Sequence, residues 1–265
     1  PSTSLVLLQA QQKLNENAAV MSPRYATVNP AANAGLVEGM KGLFNPTDTI
    51  SRQFKNGMMG MGVLGFDEIN MSQSIKQFTV GSRTATGGTT SAAVSTEGAT
   101  SIAITGAGAS ATVKTGDVFT VADCYAVNPQ TRESTGSLFQ FVVTADVTLS
   151  GAGAGTLTVA PIYSASNALA TVDSLPGNSK AVVFVGAAST QYPQNLVYHK
   201  DAITFATADL MMPQGVDMAS RQVHNGISMR IVRQYDINND RMPCRIDVLY
   251  GYSVIRPQMG VRLWG

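Results

Sequence analysis

A chain of 265 residues and 27.8 kDa has room for one large domain or two ordinary ones, each with its own core, which excludes a peptide ligand or a linker. Only 13% of the residues are charged, 18 basic against 17 acidic, and a balance of +1 supplies no general field for nucleic acid or an acidic membrane. The hydrophobic fraction of 44% and mean hydropathy of +0.07 suit a soluble globular protein, and no apolar run reaches the roughly 18 to 20 residues a bilayer requires.

The chain opens at Pro1 without a methionine or a signal-peptide pattern, and the expectation is a trimmed or partial sequence. Leu7, Gln11, Leu14 and Ala18 recur at helical spacing behind the candidate caps Thr3 and Ser4, which predicts an amphipathic helix over residues 4–18. Asn29-Pro30 and Asn45-Pro46 each place a capping asparagine before a proline at the first helical position, where the missing N–H costs nothing. Leu36, Val37, Met40, Leu43 and Phe44 supply the apolar face that follows, with Ile50 and Phe54 on the next helix, ending near Gly57. Gly60-Met-Gly62-Val-Leu-Gly65 fits the dinucleotide fingerprint, but it follows a predicted helix and precedes an extended segment, Phe66 to Met71. A flexible glycine-rich connector is the expected role.

From Gln77 to Gly186 the composition shifts: four basic residues (Arg83, Lys114, Arg132, Lys180) and six acidic ones stand among Ser, Thr, Ala and Gly. β-Branched and aromatic runs at Ser101–Thr105, Val113, Val118–Val121, Phe139–Thr148, Thr156–Val159 and Ala181–Val185 alternate with turn signals, which predicts a separate small β-barrel or sandwich. Its clearest hairpin is expected at Phe139–Leu149, turning through Ser150 to Gly155 into Thr156–Val159. Farther on, Ile227, Met229 and Ile231, then Cys244, Ile246, Val248, Tyr250 and Tyr252, keep a period of two around Asn238-Asn239-Asp240, the pattern of a long β-hairpin.

Catalytic signatures are missing. Asp236-Ile-Asn238-Asn-Asp240 with Asp247 has calcium-loop spacing, yet Arg241 stands where the sharp turn needs glycine and strands flank it, so a solvated hairpin turn is expected. His199 and His224 have no second histidine at metal-pair spacing and read as surface or hydrogen-bonded residues. No catalytic, cofactor-binding or metal site is assigned, and an enzyme would need a dispersed polar pocket that sequence does not reveal. Cys124 and Cys244 are expected as buried, unpaired thiols of a reducing compartment. Seven arginines from Arg221 to Arg262 face three aspartates, a solvated face or subunit ion-pair partners with at most weak phosphate contact. The methionines, among them Met58, Met59, Met61, Met211 and Met212, are read as core and interface packing.

Taken in order, Val28-Asn-Pro30 before a helix, Leu64-Gly-Phe-Asp-Glu68, Tyr198-His-Lys-Asp-Ala-Ile203 running to Leu210-Met-Met-Pro213, and Cys244-Arg-Ile-Asp-Val-Leu-Tyr-Gly251 with Arg256-Pro257 and Gly260-Val resemble the coat proteins of the P22-like (Lederbergvirus) tailed phages. The resemblance implies an α+β, HK97-like (Johnson) capsid fold with an axial domain, a peripheral domain with a long spine helix, an extended loop, and a small inserted β-barrel. On this chain it implies residues 1–80 as the first part of the axial domain, 81–187 as the inserted barrel, and 188–265 as the axial return with a peripheral β-hairpin. The N-terminal arm, extended loop and spine helix would precede Pro1, so the chain is expected to be a C-terminal portion. The implied function is a non-catalytic major capsid protein, without cofactors, that self-assembles as hexamers and pentamers into an icosahedral shell around double-stranded DNA. Implied partners are a scaffolding protein, the portal and at most non-specific contact with DNA, with no membrane; the implied location is the virion, after assembly in the host bacterial cytoplasm. The insertion has only Ser95-Thr-Glu-Gly98 where some relatives carry a long charged loop. A secreted β-rich carbohydrate-binding or adhesive module is the alternative for the Ser/Thr/Gly-rich centre, although Trp264 is the one tryptophan available as a sugar platform.

Overall fold

The structure, a computed structural model, describes residues 3–40 and 61–264. Helix α1 (Ser4–Glu16) buries Leu7, Ala10 and Leu14, the inward stripe of a three-and-four repeat. It ends before the predicted Ala18 because that residue turns left-handed, at φ +55°, without a glycine. The Ala19 N–H then reaches back to the Leu14 carbonyl at 2.9 Å and the Ala18 N–H to that of Asn15 at 3.0 Å, the paired bonds of a Schellman stop. Strand β1 (Arg24–Val28) alternates buried and half-buried residues. Asn29 caps α2 (Pro30–Met40) as expected: its Oδ1 accepts the Ala32 N–H at 3.0 Å, while its own N–H donates to Asn195 Oδ1 at 2.7 Å. Leu43 and Phe44, at the end of the apolar face predicted for α2, and the helix predicted from Asn45-Pro46 with Ile50 and Phe54 lie outside the described residues.

The glycine-rich run is not a flexible connector. β2 (Met61–Val63) and β3 (Phe66–Met71) pair antiparallel with Val63 opposite Phe66, and Leu64 and Gly65 between them both take positive φ, +54° and +77°. A two-residue turn of that hand matches the twist of the flanking strands, so the segment is a tight hairpin. A Cβ on Gly65 would stand 2.0 Å from Gln11 Nε2 of α1, so a side chain there would have to push the Gln11 side chain aside as well as adopt the positive φ. β4 (Gln77–Thr79) then leads away from this region.

Residues 81–187 contain β5 (Thr89–Thr90), β6 (Ala99–Thr105), β7 (Thr112–Val113), β8 (Val118–Val127), β9 (Ser134–Val142), β10 (Val147–Thr148), β11 (Gly155–Ile162) and β12 (Val182–Phe184). They form sheets β11-β6-β5, β12-β8-β9 and β10-β7. One apolar cluster lies between them, including Ile102, Ile104, Leu157 and Phe119, whose ring centre is 5.3 Å from that of Phe141 and 5.5 Å from that of Phe184. The hairpin expected across Ser150–Gly155 is only half realised. The reversal is there, with the Ser150 N–H donating to the Ala154 carbonyl at 2.9 Å, but β11 pairs with β6, β10 with β7, and β9 with β8. Pairing Phe119 with Phe141 of the next strand on one side and with distant Phe184 on the other puts all three rings in the core. Cys124 is buried here, its thiol pushed up to about 12 by desolvation, with Asp173 adding.

β13 (Gln191–Pro193) pairs with β4, Tyr192 opposite Phe78. β14 (Asn195–His199) follows, then β15 (Ile203–Ala208), β16 (Met218–His224), β17 (Ile227–Arg233), β18 (Cys244–Val254) and β19 (Gly260–Leu263). β19-β14-β1-β3-β2 make a five-stranded sheet in which β1 and β3 run parallel. The chain divides into two compact units, residues 1–199 with 258–265, and residues 200–257. It is α+β and mostly strand, with two α-helices among the described residues.

Candidate functional site

Residues 200–257 form the sheet β15-β18-β17-β16, so the expected Ile227–Ile255 hairpin is its centre, widened by two strands the sequence did not announce. Register assigns the faces, because directly paired residues project to the same side. Ile203, Phe205, Ile227, Met229, Ile231, Ile246, Val248, Tyr250, Tyr252 and Val254 fall on one side of the sheet, with Thr207, Arg233, Cys244 and, along the β16 edge, Met218, Ser220, Gln222 and His224. The other side takes Arg221, Arg230, Arg245 and Asp247, along with Val223, Ser228, Val232 and Ala206.

A face this apolar normally lies against a core, yet within 200–257 only Ala202 and Ser228 are buried. Tyr252 is 77% exposed, Ile246 65%, and Phe205, Tyr250 and Val254 are likewise open. Phe205 and Tyr250 stack at 6.0 Å between ring centres, so the aromatic part of the face is already ordered. Contiguous apolar area of this kind marks a contact surface.

The charged face is satisfied internally. Asp247 bonds both Arg230 and Arg245, the latter at 2.8 Å, and the Arg230 hydrogen bonds, followed by those of Arg245, hold its carboxyl below the usual carboxylate range. Arg221 pairs with Asp209 at 3.1 Å and Arg233 with Asp217 at 2.8 Å. Four of the seven arginines, Arg221, Arg230, Arg233 and Arg245, are therefore held in intrachain ion pairs, Arg233 on the apolar side by register, and two of the acids lie upstream of the stretch in which the sequence shows the imbalance. Arg262 is held elsewhere, over the Trp264 ring.

The other sequence candidates scatter. Asp236 accepts from the Asn238 N–H at 3.0 Å and Asn239 Nδ2 at 2.7 Å, which closes a hairpin turn, and those bonds keep its carboxyl low. His199 is buried at the end of β14 with Nε2 3.4 Å from the Ser22 carbonyl, while His224 is exposed on β16. Cys244, expected to be buried, is exposed, because its strand alternates correctly but no described residue covers the side it faces. Met211 is exposed, and Met58 and Met59 lie outside the described residues. Among the described residues no group of three or more His, Cys, Asp or Glu is placed to hold a metal, and no helix is long and apolar enough to cross a membrane. An open depression of about 340 Å³ is lined by Ala92–Thr96, Ala99, Ser101, Ala103 and Thr156, without a charged side chain.

The sequence model of a family described as "P22 coat protein - gene protein 5" matches residues 6–265. A "Major capsid protein" of Acyrthosiphon pisum secondary endosymbiont phage 1 is 26% identical over 161 residues, which cover 58% of this chain and 38% of that protein. The match thus spans well under half of that relative's length.

Proposed function

We propose, from the premise that this chain belongs to the P22 coat protein family, that it forms part of a phage major capsid subunit which self-assembles into an icosahedral shell around double-stranded DNA. The observation that carries this is the open apolar face of β15-β18-β17-β16. An apolar sheet face that no described residue covers belongs to a larger assembly, and in the shell that face is covered by further coat-protein sequence. Many modest contacts of this kind, repeated in hexamers and pentamers, sum over a closed lattice.

Within that reading the fold is HK97-like. Residues 1–80 and the return after 187 supply the axial domain, 188–265 also supply the peripheral sheet, and 81–187 are an inserted barrel. The insertion is supported by its core, whose members all fall between Ile102 and Phe184. A scaffolding protein and a portal are partners, DNA contact is non-specific, and the subunit sits in the virion after assembly in the host cytoplasm. It performs no catalysis. The carbohydrate-binding alternative loses its platform, since Trp264 is stacked between Tyr192 and Arg262. Electron microscopy of the full gene product expressed with its scaffolding protein tests the reading: closed shells are expected, and dispersed protein under those conditions would refute it.

A further inference from the structure

The strands carrying the chain into and out of residues 81–187 make a ribbon of just β4 and β13. Two strands alone are marginally stable in water, so such a neck is a natural hinge. Here one of its faces is covered. Trp264, directly after β19, stacks on Tyr192 with ring centres 5.3 Å apart and planes at 11°, and stands 6.0 Å from Phe78. The Arg262 guanidinium lies 4.7 Å from the Trp264 ring centre and 5.8 Å from that of Phe78, and its Nη2 donates to the Gly116 carbonyl at 2.7 Å. One end of this stack belongs to the five-stranded sheet, and the other grips the turn between β7 and β8.

The fit is close. A Cβ on Gly186 would stand 3.0 Å from both Trp264 Cζ3 and Tyr192 Cε2, so only glycine fits without displacing a ring. The base of the insertion is fastened separately. Arg83, fully buried, donates to the Val185 and Gly186 carbonyls at 2.6 and 2.9 Å, lies over the Phe184 ring, and stands 3.8 Å from Asp117. Asp117 in turn accepts the Lys114 N–H at 2.9 Å and the Gly81 N–H at 3.3 Å. These groups tie the first and last residues of the insertion to each other by hydrogen bonds that neither Arg262 nor Trp264 supplies. Trp264 Nε1 is buried and finds no partner among the described residues, a penalty that the closed arrangement carries and an open one would not.

We propose that Arg262 and Trp264 are a releasable latch: closed, they fix residues 81–187 against the five-stranded sheet, and released, they let those residues swing as one rigid body on the β4–β13 neck. A second tie between the insertion and the helical end of its unit is a half-buried hydrogen bond from Ser137 Oγ to Glu16 Oε1 at 3.2 Å, a single side-chain contact that has to part as the insertion swings. On the coat-protein reading, a hinged insertion lets one subunit suit unlike neighbours, but the latch is tested without reference to shells.

Hydrogen exchange on the full chain compares Arg262→Ala with Arg262→Lys, both of which keep the one tryptophan as a reporter. The neck amides are Val80, bonded to the Thr190 carbonyl, and Gln194, bonded to that of Lys76; the insertion-core amides are Val143 and Thr144, bonded to the carbonyls of Asp117 and Thr158. Losing a stacked guanidinium and its hydrogen bond should speed exchange at the neck roughly tenfold to a hundredfold, with acrylamide quenching of Trp264 rising alongside and the core amides unchanged. Arg262→Lys should fall between. Acceleration of neck and core amides in step in both variants would overturn the latch, because the insertion would then have no motion of its own. So would wild-type exchange and quenching in Arg262→Ala.

Discussion

Replacing Ile246 and Tyr252 together by serine strips the centre of the open face without touching a buried residue, as they are 65% and 77% exposed. Burying a large apolar side chain is worth about 1.5–3 kcal/mol, so scaling by those exposures gives about 2–4 kcal/mol lost from any association that covers both. That weakens the association constant by about thirtyfold to about a thousandfold. The chain's own stability should change by no more than about 0.5 kcal/mol, the usual range for exposed positions. Sedimentation velocity over a concentration series reads the first quantity and urea unfolding the second. The control is Val223→Ser, which removes an exposed apolar side chain from the opposite side of the sheet and should leave association unchanged. Unaltered sedimentation in the double variant would refute the contact surface. A loss of unfolding stability approaching the full 2–4 kcal/mol would refute it differently, by showing that the face is already packed within one chain.

What could be read in advance was what local pattern determines. The face of α1 follows from Leu7, Leu14 and their spacing, and the cap of α2 from Asn29-Pro30, because each feature is decided within one or two turns of chain. The end of α1 was misplaced since its left-handed residue is Ala18, and alanine carries no stop signal. Strand positions in the insertion were legible from β-branched runs between glycines, but their partners were not: β12 meets β8 across some 60 residues, and the choice is made by where Phe184 can stack. Period-two alternation in β17 and β18 says which residues share a side and nothing about whether that side is covered. Cys244 was therefore assigned to an interior that it does not have. The Arg262–Trp264 stack left no local trace at all, since Phe78, Tyr192 and Trp264 come from three distant places.

Further outcomes follow from burial and charge. An aromatic disulfide reagent should modify exposed Cys244 within minutes and leave Cys124 untouched until unfolding, because its desolvated thiol, with a pKa of about 12, supplies almost no thiolate; two equivalents reacting with native protein would contradict the packing of β8. Residues 77–187 expressed alone should give a dispersed, β-rich amide spectrum, since the aromatic cluster of Phe119, Phe141 and Phe184 lies inside them, and a collapsed spectrum would remove the insertion as a folding unit. Asp247→Asn should lower stability at neutral pH but not in acid. The folded-state pKa of Asp247 is depressed by its bonds to Arg230 and Arg245, so its contribution is present above the ordinary carboxylate pKa and is lost as the pH falls through the lowered value. Thermal melts of the wild-type chain and the variant should therefore differ at pH 7 and converge as the pH falls through that lowered value, and a gap that does not narrow in acid would mean that Asp247 acts through packing rather than charge.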